Sequence, residues 1–363
     1  MHKLLLTKPD GRYLTLYGRE PIASTLQAPS PFAEPLHASA HLRWHPLRGE
    51  WVTYAAFRQE RTFLPPPEYN PLAVTRDPAH PTEVPAGNWD VAVFDNRFPS
   101  LGQPEGAPAP PQLIVPSAPA EGRCEVVVFT QDPKSSLGAL PLDHIDLLMQ
   151  VWGDRTQKLG ARAEIRYVLP FENRGAEVGV TLHHPHGQIY AYPVVPPVPA
   201  RMQEVAREHH AKRGKGPLQE LIAAERASGE RMLYEGPHAV AFVPVCARYP
   251  YEVWVATIEP VEGFAQLTDV QRADLARALK TVLLKYDGLW DRPLPYLMAW
   301  YQAATDGEPH PEAHLHAQLY PPYRTRDRLK YLAGTEIAAG FFAMDALPEE
   351  KARELQQVEA GLA

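Results

Sequence analysis

Two strings of one design occur in this chain. His184-Pro185-His186-Gly187-Gln188-Ile189-Tyr190 and His314-Leu315-His316-Ala317-Gln318-Leu319-Tyr320 match at both histidines, the glutamine and the tyrosine. The segments before them repeat in the same order. His238–Val243 echoes Trp89–Phe94, and Arg248-Tyr249-Pro250 echoes Arg97-Phe98-Pro99. Glu252–Thr257 echoes Glu125–Thr130, and Tyr296–Trp300 stands where Ile165–Leu169 stands in the first series. An internal duplication is the simplest reading. It predicts an α+β chain of two halves, residues 1–195 and 196–363, sharing one large antiparallel sheet flanked by helices.

Local signals fill in the elements. Leu4–Lys8 and Arg12–Tyr17 flank Pro9-Asp10-Gly11, a hairpin turn sequence. Trp51–Tyr54 reads as a strand, followed by Arg58 and Arg61, while residues 64–87 and Pro104–Gly122 read as irregular, Pro-rich loop. Pro141–Gly160 has Leu142, Ile145, Leu148 and Trp152 at helical spacing. Ile165–Leu169 is a strand that delivers the chain into a loop, Phe171-Glu172-Asn173-Arg174-Gly175. Residues 200–227 are helical with a break at Gly214–Pro217. Thr268-Asp269-Val270-Gln271 is a capping box opening a helix with Leu275, Leu279, Val282 and Tyr286 on one face. A last helix lies near Pro348–Ala360.

Composition excludes several classes. With 45% hydrophobic residues among 363, the chain can bury a large core. A net charge of −7 with both signs interspersed leaves no basic footprint for nucleic acid or an anionic membrane. Cys124 and Cys246 provide no disulfide framework and no metal clip. No apolar run reaches membrane-spanning length and the N-terminus lacks a signal-peptide core, so a cytoplasmic protein is expected.

The chemistry concentrates at His184–Gln188. A neutral imidazole is a competent nucleophile near neutral pH when one ring nitrogen is free and the other is held by an acceptor. The His-Pro-His frame can set a backbone carbonyl beside the His186 ring. Gln188 can donate to a phosphoryl oxygen that gains charge in the transition state, but it supplies neither proton nor base. That suits a leaving group that is already a stable anion, and a double displacement through a phosphorylated histidine. By spacing alone the two histidines also fit metal ligands or satisfied core groups.

Phe171-Glu172-Asn173-x-Gly175, Gly179-Val180-Thr181 and His184-Pro185-His186-Gly187-Gln188 together resemble the galactose-1-phosphate uridylyltransferase family, of the histidine-triad superfamily. Arg58 and Arg61, Phe94-Asp95-Asn96-Arg97-Phe98-Pro99, and Leu329-Lys330-Tyr331-Leu332-Ala333-Gly334-Thr335-Glu336 extend the resemblance from about residue 43 to 345. It implies duplicated histidine-triad-like halves and a homodimer with shared active sites. It also implies a ping-pong transfer of UMP from UDP-glucose to galactose 1-phosphate. His186 would be the nucleophile, Gln188 would bind the uridylyl phosphate, and the His184 carbonyl would orient the His186 ring. Arg58, Arg61, Asn96, Arg97, Asn173, Gly179, Val180 and Thr181 would line the nucleotide. Lys330, Thr335 and Glu336 would meet the hexose phosphate from the neighbouring subunit.

The departures are informative. Relatives carry a zinc site built from a Cys-x-x-Cys pair, a downstream His and the first His of the motif. Here Asn70-Pro71-Leu72-Ala73 and Pro133 occupy those places, leaving His184 as the one remaining ligand. At a second metal site of the family, Tyr301, His316 and Gln318 stand at the His positions and Met202 at the Glu position. No metal cofactor is therefore expected at either. Thr335 replaces a tyrosine that contacts the hexose, and Arg97 replaces an aspartate near the ribose. The alternatives are an adenylyl-transferring relative, acting on ADP-glucose or a dinucleoside tetraphosphate, and a non-catalytic nucleotide-sugar sensor. The second motif lacks a matching Phe-Glu-Asn-x-Gly segment, so a structural or substrate-lining role is expected for His316.

Overall fold

The structure is a computed structural model describing residues 1–35, 40–60, 69–102, 111 and 113–362. Eleven strands form one sheet: β1 (His2–Thr7), β2 (Tyr13–Gly18), β3 (Val91–Asp95), β4 (Arg123–Val128), β5 (Tyr167–Arg174), β6 (His186–Tyr192), β7 (Met232–Glu235), β8 (Ala239–Phe242), β9 (Val253–Thr257), β10 (Tyr296–Tyr301) and β11 (His316–Tyr320). Their spatial order is β1-β2-β3-β4-β6-β5-β10-β11-β9-β8-β7, and neighbours pair antiparallel throughout. The run β3-β4-β6-β5 is mirrored by β8-β9-β11-β10, so the duplicated segments are duplicated strands. Beyond this repeat, the predicted hairpin β1–β2 extends the first half, and β7 ends the second.

The two halves meet where β5 pairs with β10, with Phe171 opposite Ala299 and Asn173 opposite Leu297. On their other sides Phe171 lies opposite Gln188 and Ala299 opposite Gln318. Three strand spacings separate the two glutamines, roughly 14 Å. This pairing corrects the sequence reading of Phe171–Gly175 as loop. Glu, Asn and Arg are poor strand formers alone, but a ladder on both flanks of β5 overrides that weak preference. Only Gly175 leaves the strand; its φ of +100° and the ring of Pro295, 2.6 Å from an added Cβ, demand glycine. Another correction concerns Pro104–Gly122: residues 103–110 and 112 lie outside the described set, but Ser117–Pro119 is a strand, paired with His41–His45, which in turn pairs with Glu50–Tyr54.

Period-two alternation sorts the strands' side chains. One face meets helices α1 (Leu142–Gly160) and α4 (Asp269–Gly288) in a single core that runs across both halves, with Trp152, Phe264 and Trp300 ring to ring at 4.9–5.8 Å. The predicted capping box is present: Thr268 accepts from the Gln271 amide while the Gln271 side chain accepts from the Thr268 amide. The opposite face carries smaller apolar clusters, one under the first half (Leu14, Leu16, Phe94, Val128) and one under α3 (Pro217–Ser228), which follows α2 (Pro197–Arg213), in the second. Short α5 (Gly334–Ala338) and α6 (Pro348–Gln356) complete the chain. Among the described residues no helix is long and apolar enough to cross a membrane.

On the helix face, beside the seam, Glu172 is fully buried and accepts from the Tyr296 hydroxyl at 2.8 Å. Burial outweighs that bond and pushes its carboxyl up to about 7. A carboxyl whose folded pKa lies above its unfolded one binds more protons when folded, so stability falls as pH rises from about 4.5 towards 7. Glu172→Gln should therefore stabilise the protein at pH 8 by up to about 3 kcal/mol and have little effect at pH 4.5, measured by denaturant unfolding.

Candidate active site

His186 opens β6, and its register is fixed by pairing with Val128 on β4. Alternation sends His186, Gln188 and Tyr190 to the face opposite α1 and α4, while Ile189 and Ala191 enter the helix-side core. Between them Gly187 is pressed against Phe129 and the carbonyl of Phe171; an added Cβ would lie 2.7 and 2.8 Å from them. The turn before the strand is pinned as well, since the Phe129 amide donates to the Pro185 carbonyl at 3.1 Å.

That turn aims the His184 carbonyl at His186 Nδ1, 2.8 Å away. A carbonyl can only accept, so Nδ1 carries the proton and Nε2 keeps its lone pair. Burial holds the His186 pKa below the ordinary imidazole range, so the ring is neutral at pH 7. These are the requirements of an imidazole nucleophile. His184 itself is buried, with Nε2 donating to the Thr130 carbonyl at 2.7 Å.

A cavity of about 310 Å³ opens over His186 and Gln188, walled by Phe94, Asn96, Arg97 and Thr181 among others. Asn96 accepts from the Phe98 amide at 2.9 Å, which turns its NH₂ towards Gln188 Oε1 at 3.5 Å, the outer limit of a hydrogen bond. Held that way, Gln188 presents its own NH₂ to the cavity. Arg97 donates to the Glu34 carbonyl and lies over the Phe32 ring at 4.6 Å. Arg58 flanks the site, donating to the Phe98 carbonyl at 2.6 Å near Tyr190. Asn173 shares the strand face of Phe171, which packs edge-on against Tyr190, and among the described residues its buried Oδ1 has no partner. The Gly179 amide donates to the Ala176 carbonyl and the Val180 amide to that of Gly175, and neither residue lines the cavity. Arg61 lies outside the described residues.

Lys330, Thr335 and Glu336 are not brought to His186 within one chain. They line a separate cavity of about 470 Å³. There Lys330 and Glu336 are buried, 3.8 Å apart, with Lys330 donating to the Ala343 carbonyl and Glu336 accepting from the amides of Ala333 and Ala343. Several cavity residues have no local sequence signal. Phe32 arrives from the N-terminal segment and Tyr69 from the Pro-rich stretch. Glu83 is held behind them by Lys8 and Arg12, at 2.6 and 2.9 Å.

The second motif repeats the backbone clamp. His316 Nδ1 faces the His314 carbonyl at 2.7 Å, and His314 Nε2 faces the Thr257 carbonyl at 2.7 Å. The difference lies at the other ring nitrogen. Gln318 Nε2 sits 3.1 Å from His316 Nε2, and the Tyr320 hydroxyl donates to Gln318 Oε1, fixing the amide that way round. Among the described residues His186 Nε2 has no such partner, whereas the corresponding lone pair of His316 is occupied.

The family profile "Galactose-1-phosphate uridyl transferase, N-terminal domain" matches residues 31–196, and its C-terminal counterpart matches residues 202–361. The galactose-1-phosphate uridylyltransferase of Thermotoga maritima is 36% identical over 324 residues, covering 88% of this chain and 98% of that one. The chain belongs to the galactose-1-phosphate uridylyltransferase family. The Streptomyces lividans member of this family is 35% identical, over 84% of this chain and 81% of its own. A solved uridylyltransferase structure superposes with a TM-score of 0.78 at 30% identity, over 88% of this chain and 98% of that one. An ADP-glucose phosphorylase from Arabidopsis thaliana shares the fold, with a TM-score of 0.65 at 22% identity, over 88% of this chain and 99% of that one.

The metal sites implied by resemblance to other uridylyltransferases can be tested against the donors present. At the first, the Asn70 amide lies 3.0 Å from His184 Nδ1, and His184 Nε2 is taken by Thr130. At the second, Met202, Tyr301, His316 and Gln318 do converge on one cavity of about 340 Å³. They offer a thioether, a phenol, an amide and an imidazole with both nitrogens engaged. Among the described residues no group of three or more His, Cys, Asp or Glu could hold a metal ion. Neither donor set fits zinc.

Because Phe171 O is backbone and cannot yield as a side chain would, Gly187→Ala should displace β6. A loss of about 1–3 kcal/mol in denaturant unfolding is expected.

Proposed function

We propose that this protein transfers UMP from UDP-glucose to galactose 1-phosphate through a covalent uridylyl-His186 intermediate, yielding glucose 1-phosphate and UDP-galactose. The observation that carries this reading is the neutral His186 ring, protonated at Nδ1 by its clamp and with Nε2 open to a cavity beside Gln188. Family membership supports the substrates.

In the first half-reaction Nε2 attacks the α-phosphorus. A P–N bond forms as the P–O bond to glucose 1-phosphate breaks, and the electron pair leaves on a phosphate oxygen that needs no proton. The uridylylated ring is cationic, and its Nδ1–H bond to the His184 carbonyl strengthens as charge develops. The Gln188 NH₂ is placed to donate to a non-bridging oxygen. In the second half-reaction a phosphate oxygen of galactose 1-phosphate attacks the same phosphorus and the P–N bond breaks. Gln188 cannot activate water, which favours transfer over hydrolysis.

Incubation with UDP-glucose should leave one uridylyl group on the wild-type chain and on His316→Gly, and none on His186→Gly, by intact-mass spectrometry. Labelling should exceed that from ADP-glucose, and its acid limb should lie below about pH 6.5, because burial lowers the His186 pKa. Labelling only in His186→Gly would reverse the assignment of the two motifs.

Lys330, Thr335 and Glu336 would then serve the His186 site of a second copy. Their separate cavity and the exposed apolar side chains nearby, Tyr331, Ile337 and Phe341, support this reading. Mixing His186→Gly with Glu336→Ala, each inactive alone, should regain part of the wild-type turnover if subunits exchange and sites are shared.

A further inference from the structure

Three hydrogen bonds meet at His184, and a fourth, within the Asn70 turn, fixes the first of them. Asn70 Oδ1 accepts from the Leu72 amide at 3.0 Å. That bond settles which end of the Asn70 amide is which: oxygen towards Leu72, NH₂ towards His184 Nδ1 at 3.0 Å. The Thr130 carbonyl, an acceptor only, faces His184 Nε2 at 2.7 Å, so Nε2 carries the hydrogen and Nδ1 accepts from Asn70. The His184 carbonyl then accepts from His186 Nδ1 at 2.8 Å. Every donor and acceptor in this chain has one consistent assignment, and it ends with a lone pair on His186 Nε2.

We propose that Asn70 is a positioning residue for His186: its amide locks the buried His184 ring in one neutral tautomer and orientation, the task a metal ion on that ring would otherwise perform. The inference rests on the reading of His186 as the nucleophile. An amide suits the task. It satisfies Nδ1, which would otherwise be a buried acceptor without a partner, and it opposes a second proton on the ring because two donors would then face each other. It also carries no net charge beside the nucleophile, and it excludes a metal from the same nitrogen.

The duplicate supplies an internal control. Among the described residues His314 Nδ1 is buried with no partner, yet the His314 carbonyl still meets His316 Nδ1 at 2.7 Å. The carbonyl bond alone therefore does not require the amide. What Asn70 adds is a donor on Nδ1 that holds the ring against rotation and against a second proton, and the copy that has it is the copy whose second histidine keeps Nε2 without a partner among the described residues.

The test compares wild type with Asn70→Ala and Asn70→Asp, using ¹⁵N signals of the ring nitrogens and single-turnover labelling by UDP-glucose. In wild type, His184 Nδ1 and His186 Nε2 should both report unprotonated nitrogens. In Asn70→Ala the His186 ring should become a tautomer mixture, and labelling should slow about 10- to 100-fold. The UDP-glucose concentration at half-maximal rate should change by less than about threefold. Asn70→Asp keeps the shape but lacks the donor, so His184 Nδ1 should become protonated and the rate should not recover. The His314 and His316 signals should stay unchanged in both variants, which separates loss of positioning from general unfolding. Wild-type rate and His186 tautomer in Asn70→Ala would overturn the proposal, as would one equivalent of zinc bound through His184 in the purified protein. A wild-type chain that UDP-glucose does not label, but whose His186 tautomer still depends on Asn70, would sink the functional reading and leave the positioning role standing.

Discussion

The pairing of β5 with β10 is the constraint on which the rest depends. It joins two copies of one four-strand unit into a continuous ladder, so neither half leaves an open edge at the seam. The same ladder fixes Phe171 opposite Gln188, and so sets the register of the strand that carries His186. A one-residue slip would turn His186 and Gln188 into the helix-side core and push Gly187 and Ile189 outwards. Registry at the seam and the facing of His186 are thus one specification.

Duplication gave two clamped histidines, and a single side-chain orientation separates their fates. In the second copy the Tyr320 hydroxyl holds Gln318 with its NH₂ against His316. In the first, Tyr190 instead packs edge-on against Phe171, and Asn96 lies at the oxygen of Gln188. The amide that quenches one imidazole is thereby free to meet a ligand at the other. Burial acts alike on both, holding His316 down to about 4 and His186 below its ordinary value. Burial shifts both rings in one direction, so it is hydrogen-bond geometry that sets the copies apart.

Much of this was legible in the sequence. The repeated order of motifs predicted the mirrored strands, and helical spacing placed α1 and α4 to within a residue or two. His186 and Gln188 were legible because glycine, proline and polar residues interrupt an otherwise apolar strand pattern. Long-range partners were not. Asn70 and His184 are 114 residues apart, and nothing local to Asn70 marks it as a donor to an imidazole. Phe32 reads as one aromatic in a loop until the hairpin beside it docks on β3. The Glu172-Asn173-Arg174 strand was misread because pairing, not propensity, makes it a strand. The seam that overrode the local signal is a tertiary fact, visible only once both halves are assembled.

Behind the cavity, Lys8, Asp10, Arg12 and Glu83 form a buried cluster tied to Ser30, with Lys8 and Arg12 over the Phe94 ring. Two cations and two carboxylates cancel. A diphosphate approaching His186 therefore meets a wall that has no monopole, although it holds four formal charges within a few ångströms. Among the described residues, Arg97 and Arg58 are cations near the cavity that donate to backbone carbonyls and not to a carboxylate. Added salt should then screen ligand capture through partly exposed cations such as those two more than through the buried, internally paired back wall.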